Sequence, residues 1–208
     1  MEVQNNKTGR PLEYYTSLYR ELNPAEAAKR CGISFDGARF AVSFLGFELL
    51  VDWPEFKLRP VCAEECPHSL TEDYAKIFIL RYILEGTYTG ESGEFLSYRE
   101  FPWGSVYDAN FQGRCIKRLA FSFGSKPELF SKAGEMLGGV PLGKGDASFE
   151  FSLLAGFKVR VILYAADDEF PPSSQFLFSS NHVNAFMAED LAVIGDLIIN
   201  ALKELSKR

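Results

Sequence analysis

The chain has 208 residues, 47% of them apolar and 24% charged, and 22 Lys and Arg against 28 Asp and Glu leave a net charge of −6. That length buries roughly 70% of the unfolded surface, enough to fold without disulfide or metal, and the absence of a basic stripe argues against nucleic acid as a partner. No apolar run nears the roughly 18 residues of a membrane span and residues 1–10 hold no apolar signal core, so no membrane partner is expected and the cytoplasm is the expected location.

Residues 11–22 read as a helix with Leu12, Tyr15, Leu18, Tyr19 and Leu22 on one face. Asn23 then caps a second, short helix, with Pro24 at its first position and Glu26 completing a capping-box pattern, and Gly32 ends it. Asp36-Gly37 signals a turn. Residues 39–45 and 47–53 flank Gly46 as a hairpin or a bent strand. The loop over 54–67 contains Cys62 and Cys66, followed by Pro67 and His68. A closed zinc site takes two such pairs, and Cys31 and Cys115 do not make the second, so these thiols read as free, small apolar groups.

Ser69 and Glu72 open a helix over 70–85, apolar on more than one side and therefore largely buried. Residues 91–101 run from a loop into a short extended piece, and Pro102-Trp103-Gly104 breaks the chain. Residues 105–123 fit a helix despite Gly113. Residues 126–137 fit another, and a turn-rich stretch follows over 140–146. Two strands, 147–154 and 157–165, join at Ala155-Gly156, and a short strand covers 175–178. A helix over 189–205 closes the chain, with its stripe at Leu191, Ile194, Ile198, Leu202 and Leu205.

The pattern defines an α+β class: a mostly antiparallel sheet built from two β-hairpins packed against several helices, in one globular domain over 1–208. Its parts are an N-terminal helical segment (1–32), a first strand–strand–helix unit (33–86), a helical insert (87–146) and a second strand–strand–helix unit (147–208). The two units run alike, Ser43-Phe44-Leu45-Gly46-Phe47 matching Ser152-Leu153-Leu154-Ala155-Gly156-Phe157. A duplication would pack them about a pseudo-two-fold axis in one shared sheet. Shared physics gives the same pattern, since hairpin turns take glycine and helix starts take acids.

Two groups are candidate ligand sites. The first is the acidic corner Asp167, Asp168 and Glu169, stiffened by Pro171 and Pro172, where three carboxylates repel unless a cation, an arginine or water screens them. The second is Arg99, Trp103, Tyr107, Arg114 and Arg118, a basic and aromatic set suited to a flat anion. A structural ion pair between the two groups explains both at once. The sequence has no G-x-S-x-G, Walker A or G-x-G-x-x-G pattern, and Gly138 to Gly145 reads as a turn. His68 and His182, the only histidines, read as surface-loop residues.

Several stretches together resemble the proteins grouped as domain of unknown function 3786. They are Ser97-Tyr98-Arg99-Glu100-Phe101-Pro102-Trp103-Gly104, then Tyr107, Phe111, Arg114, Leu119 and Phe123-Gly124. Leu137-Gly138-Gly139 and Gly145-Asp146-Ala147-Ser148-Phe149 follow, then Asp168-Glu169-Phe170-Pro171, Leu177-Phe178 and Ala188-Glu189-Asp190-Leu191-Ala192. The family pattern has an Asp where Ser179 stands here. The resemblance implies uncharacterised proteins typical of anaerobes, some of which carry an added iron–sulfur cluster domain, and it supplies no catalytic residues and no cofactor. The expected role is a cytoplasmic ligand-binding or accessory module in anaerobic metabolism, with an iron–sulfur or other anaerobic-metabolism protein as the implied partner. The alternatives are a carboxylate-based, divalent-cation-dependent enzyme using the acidic corner, and a structural protein-interaction domain.

Overall fold

The structure, a computed structural model, describes residues 9–208 except Ala155. Residues 1–8, at the polar start, and Ala155 of the second hairpin turn lie outside the described residues. Helix α1 (Gly9–Glu21) is followed by α2 (Pro24–Cys31). The Asn23 side chain accepts from the Ala25 and Glu26 amides at 3.2 and 3.3 Å, and Gly32 closes α2 at φ 66°, so both ends form as the sequence predicts.

The first sheet has the order β1 (Ser34–Phe35), β2 (Arg39–Phe44), β3 (Phe47–Asp52), β4 (Lys57–Pro60). Phe44 pairs with Phe47 around Leu45 and Gly46, at φ 47° and 81°, the pair of positive angles that a two-residue turn matched to strand twist requires. Strands β1 and β4 are absent from the sequence reading. They are short edges whose few residues carry too little alternation to register.

A single 3-10 turn (His68–Leu70) precedes α3 (Asp73–Glu85), where one helix from residue 70 is predicted. The Glu204 carboxylate accepts from the His68 and Ser69 amides at 2.7 and 2.9 Å, fixing that turn. At the other end of α3, the Arg30 guanidinium donates to the carbonyls of Ile83, Leu84 and Gly86. It supplies partners for carbonyls that a helix end leaves open.

The second sheet has the order β5 (Phe95–Ser97), β9 (Ser173–Ser179), β8 (Phe157–Tyr164), β7 (Ala147–Leu154), β6 (Val140–Pro141). Every pairing in both sheets is antiparallel. The hairpins lie in separate sheets and do not share one, and they meet where the Leu45 amide donates to the Leu153 carbonyl at 3.1 Å.

Helices fill the rest. The predicted helix over 105–123 runs as α4 (Gly104–Phe111), a π-helical stretch (Gln112–Lys117) and α5 (Arg118–Phe123). After α6 (Pro127–Met136), the chain ends in α7 (Ala188–Leu205), which packs against α3, α6 and the π-helical stretch. The core is one continuous cluster rich in rings, with Phe40, Phe44, Phe111, Phe157 and Phe178 essentially inaccessible. No helix among the described residues is long and apolar enough to cross a membrane.

Candidate ligand-binding cleft

The site begins where the sequence breaks. Residues Tyr98–Glu100 form one 3-10 turn, capped by Ser97, whose amide and hydroxyl donate to the Glu100 carboxylate at 2.7 and 2.8 Å. The hydroxyl first, and then the amide, hold the Glu100 carboxyl below the usual carboxylate range. The chain then reverses. A β-carbon on Gly104 would stand 1.9 Å from the Tyr98 carbonyl oxygen, so only glycine fits. Trp103 before it sits at φ 65° and is 70% exposed. A bulky side chain in the left-handed region is strained, and such strain concentrates at functional sites.

From that turn, α4 presents Trp103, Tyr107 and Asn110 along one face, and the π-helical stretch adds Arg114. Met187 and Glu189, at the start of α7, form the facing wall of a cleft of about 520 Å³. Tyr98 lines it too, its ring stacked on Phe111 with centroids 4.0 Å apart and planes 2° from parallel. Arg114 Nε donates to Asp196 Oδ2 at 2.5 Å, and Arg118 Nη1 to Asp196 Oδ1 at 2.8 Å. Arg118 also donates to the Asn200 side-chain oxygen. One carboxylate thus holds two guanidiniums, and the charged side chains that line the cleft itself are Arg114 and Glu189. Among the described residues, the two terminal nitrogens of Arg114 have no hydrogen-bond partner.

A second cleft of about 500 Å³ shares Arg114 and Glu189 with the first and extends to Ser69, Tyr74, Arg118 and Asn200. Beneath the start of α7, Asp190 is buried. Its carboxylate pairs with Arg81 at 2.5 Å and accepts from the Met187 amide at 2.9 Å. Burial pushes this carboxyl up, while the amide and the guanidinium pull it back. Cys115, in the π-helical stretch, is pushed up to about 12, mainly by burial, and is therefore a protonated thiol rather than a nucleophile.

The candidates separate. Trp103, Tyr107 and Arg114 share the aromatic cleft, and Arg118 lines the second. Arg99 stands apart, largely exposed, 3.6 Å from Asp108. Among the described residues, no arginine pairs with the acidic corner, so the predicted arginine lock is not seen there. Asp167 spends its carboxylate on its own loop, accepting from the Glu169 and Phe170 amides at 2.9 and 2.6 Å. Asp168 and Glu169 face solvent. Among the described residues, no three His, Cys, Asp or Glu side chains are grouped to hold a metal ion.

The residues missed are those of α7, above all Asp196 and Asn200. Part of their signal was present: two polar positions four apart in the middle of α7, matching the spacing of Arg114 and Arg118.

His182 is the other correction. His68 is exposed, 2.9 Å from Glu72, but His182 is fully buried among Phe157, Phe178 and Phe186. Its Nδ1 lies 2.8 Å from the Ser179 carbonyl and 3.1 Å from the Ser179 hydroxyl. A carbonyl only accepts, so Nδ1 carries the proton and cannot take one from the hydroxyl. The pair is not a nucleophile and base. Burial pushes this imidazole down to about 4.

Fold and site together define an α+β protein of two antiparallel sheets that opens an aromatic and arginine-lined cleft beside its last helix. The profile of the family described as Domain of unknown function (DUF3786) matches residues 23–201. The chain belongs to that family, and the match takes in every residue of the cleft. No curated protein and no solved structure matches the chain.

Proposed function

We propose that this protein is a non-catalytic binding module for a planar organic ligand that carries an anionic group. The observation that carries the reading is Trp103, a strained and exposed tryptophan at the head of α4 that lines one cleft together with Tyr107, Met187 and Arg114. The cleft volume falls within the roughly 300–1,000 Å³ of small-molecule sites. Trp103 and Tyr107 offer ring faces and edges for a flat partner. Arg114, positioned through its Nε, offers the rest of its fork to a carboxylate or phosphate. The reading extends the setting that the family resemblance implies, a cytoplasmic accessory role in anaerobic metabolism beside an iron–sulfur or other anaerobic-metabolism protein.

Calorimetric titration with riboflavin 5′-phosphate and adenosine 5′-monophosphate, against riboflavin and adenosine, tests it. At least one phosphorylated ligand is expected to bind more tightly than its neutral counterpart, and Trp103→Ala to weaken it about tenfold, near the worth of one aromatic contact. Indifference to both the phosphate and Trp103 sinks the reading.

One observation favours a second reading, a protein-interaction face. Trp103, Val106 and Tyr107 are 70, 66 and 56% exposed at helical spacing, an apolar stripe of the kind that marks partner sites.

A further inference from the structure

The loop between β4 and the 3-10 turn at His68 holds two thiols that the aromatic cleft does not use. The Cys66 amide donates to the Cys62 carbonyl at 3.2 Å, which closes residues 62–66 into a single turn with the hydrogen-bond pattern of an α-helix. In such a turn the α-carbons of the first and fifth residues stand about 6 Å apart, inside the roughly 4.4–6.8 Å that a disulfide spans. The two ends differ in access: Cys62 is exposed, and Cys66 is 5% exposed. Ala63, Glu64 and Glu65 between them are exposed, so the turn can adjust without disturbing the core. The Arg208 guanidinium holds the buried end, donating to the carbonyls of Glu65 and Cys66 at 2.6 and 3.5 Å. Burial pushes the Cys66 thiol up to about 11, while Arg208 pulls it back and Glu204 opposes that pull. Cys31 and Cys115 lie buried on α2 and the π-helical stretch, with no second cysteine on the same turn of chain.

We propose that Cys62 and Cys66 are a site of oxidative modification, a dithiol that closes reversibly to a disulfide by exchange with a small disulfide. The site is independent of the aromatic cleft. Cys62, the accessible thiol, reacts first. It gives its proton to water, and the thiolate attacks one sulfur of the small disulfide and breaks that S–S bond. One half stays on Cys62, and the other leaves as a thiolate that takes up a proton. The Cys66 thiol then gives up its proton, and its sulfur attacks Cys62 Sγ and expels the second half, which is protonated in turn. The protein loses two electrons and two protons, and the small disulfide gains both. Burial shields Cys66 from reagents in solution, but Cys62 is tethered to the same turn, which makes the second step intramolecular.

Treatment of the full chain with excess glutathione disulfide, followed by intact mass and peptide mapping, tests the pair. The parent is expected to lose the mass of two hydrogen atoms and to retain no glutathione. Its map is expected to join Cys62 to Cys66 within one chain, and dithiothreitol to restore the starting mass. Cys66→Ala removes the second sulfur and is expected instead to keep one glutathione on Cys62, and Cys62→Ala to stay unmodified. Thermal unfolding shows that both variants are folded. A lasting glutathione adduct on Cys62 of the parent, a disulfide between two copies of the chain, or no reaction at all overturns the proposal. These three outcomes are read on the parent, so they decide whether or not the variants fold.

Discussion

A β-carbon built on Gly195 would stand 2.5 Å from the Cys115 sulfur, so α7 meets the π-helical stretch where only glycine fits. This contact bears on the spacing of the cleft, since Glu189 on α7 and Met187 just before it line the cleft with Tyr107 of α4 and Arg114 of the π-helical stretch. Gly195→Ala is expected to cost about 1–3 kcal/mol by overpacking. Adding Cys115→Ala removes the sulfur and is expected to return most of that loss, a coupling typical of residues in contact. Urea denaturation of the single and double variants measures both, and equal instability of the two contradicts the account.

Trp103 separates stability from binding. Its φ of 65° costs a non-glycine residue about 1 kcal/mol, and its exposed ring contributes little burial to offset that cost. Trp103→Gly is therefore expected to fold at least as stably as the parent while losing the ring-bearing ligand. Melting temperature and calorimetric affinity, measured on one preparation, check the two halves. A marked drop in stability contradicts the strain argument.

Helix caps and hairpins were legible because each is specified by neighbours in sequence. Asn23 caps α2, and Gly46 turns the first hairpin, whatever lies beyond them. The partners of the arginines were not legible. Asp196 reaches Arg114 across 82 positions of chain, and its four-residue spacing to Asn200 does not by itself select it over the nearer acids at Asp167 and Asp168. The acidic corner drew attention through charge density alone, yet the Asp167 side chain satisfies amides two and three residues on, a local loop motif. His182 was misplaced for a related reason: a polar residue between Asn181 and Val183 reads as surface, and only the arrival of Phe157, Phe178 and Phe186 buries it.

The acidic corner carries its own expectation. Asp167→Ala removes two loop hydrogen bonds and is expected to cost about 1 kcal/mol. Asp168→Ala is expected to stay within about 0.5 kcal/mol of the parent, as surface substitutions do. Denaturation midpoints decide between this and a structural role for Asp168.

The four cysteines differ in access. Cys62 is exposed, whereas Cys31, Cys66 and Cys115 are buried, and burial pushes the thiols of Cys31 and Cys66 up to about 11. Iodoacetamide at neutral pH is expected to label Cys62 alone in the native protein and all four in urea. Mass spectrometry of the two samples reads the result, and native labelling of Cys115 contradicts the packing of α7 on the π-helical stretch.

His182 makes the fold sensitive to acid. Its folded value, about 4, lies below its ordinary 6.5 because burial disfavours the imidazolium. Between those values the unfolded chain binds a proton that the folded chain does not, so stability is complete above about pH 6.5 and falls as pH drops toward 4. The shift corresponds to about 3 kcal/mol at the acid end. Among the described residues the Nε2 atom has no hydrogen-bond partner and the ring stands among phenylalanines, so His182→Phe suits the site in shape and polarity while giving up the Nδ1 contact. The parent is expected to lose stability more steeply than this variant from pH 6.5 to 4, and the two curves to run parallel from pH 7 to 8. Urea midpoints at half-unit steps of pH give both curves, and parallel curves throughout would show that His182 titrates freely in the folded state.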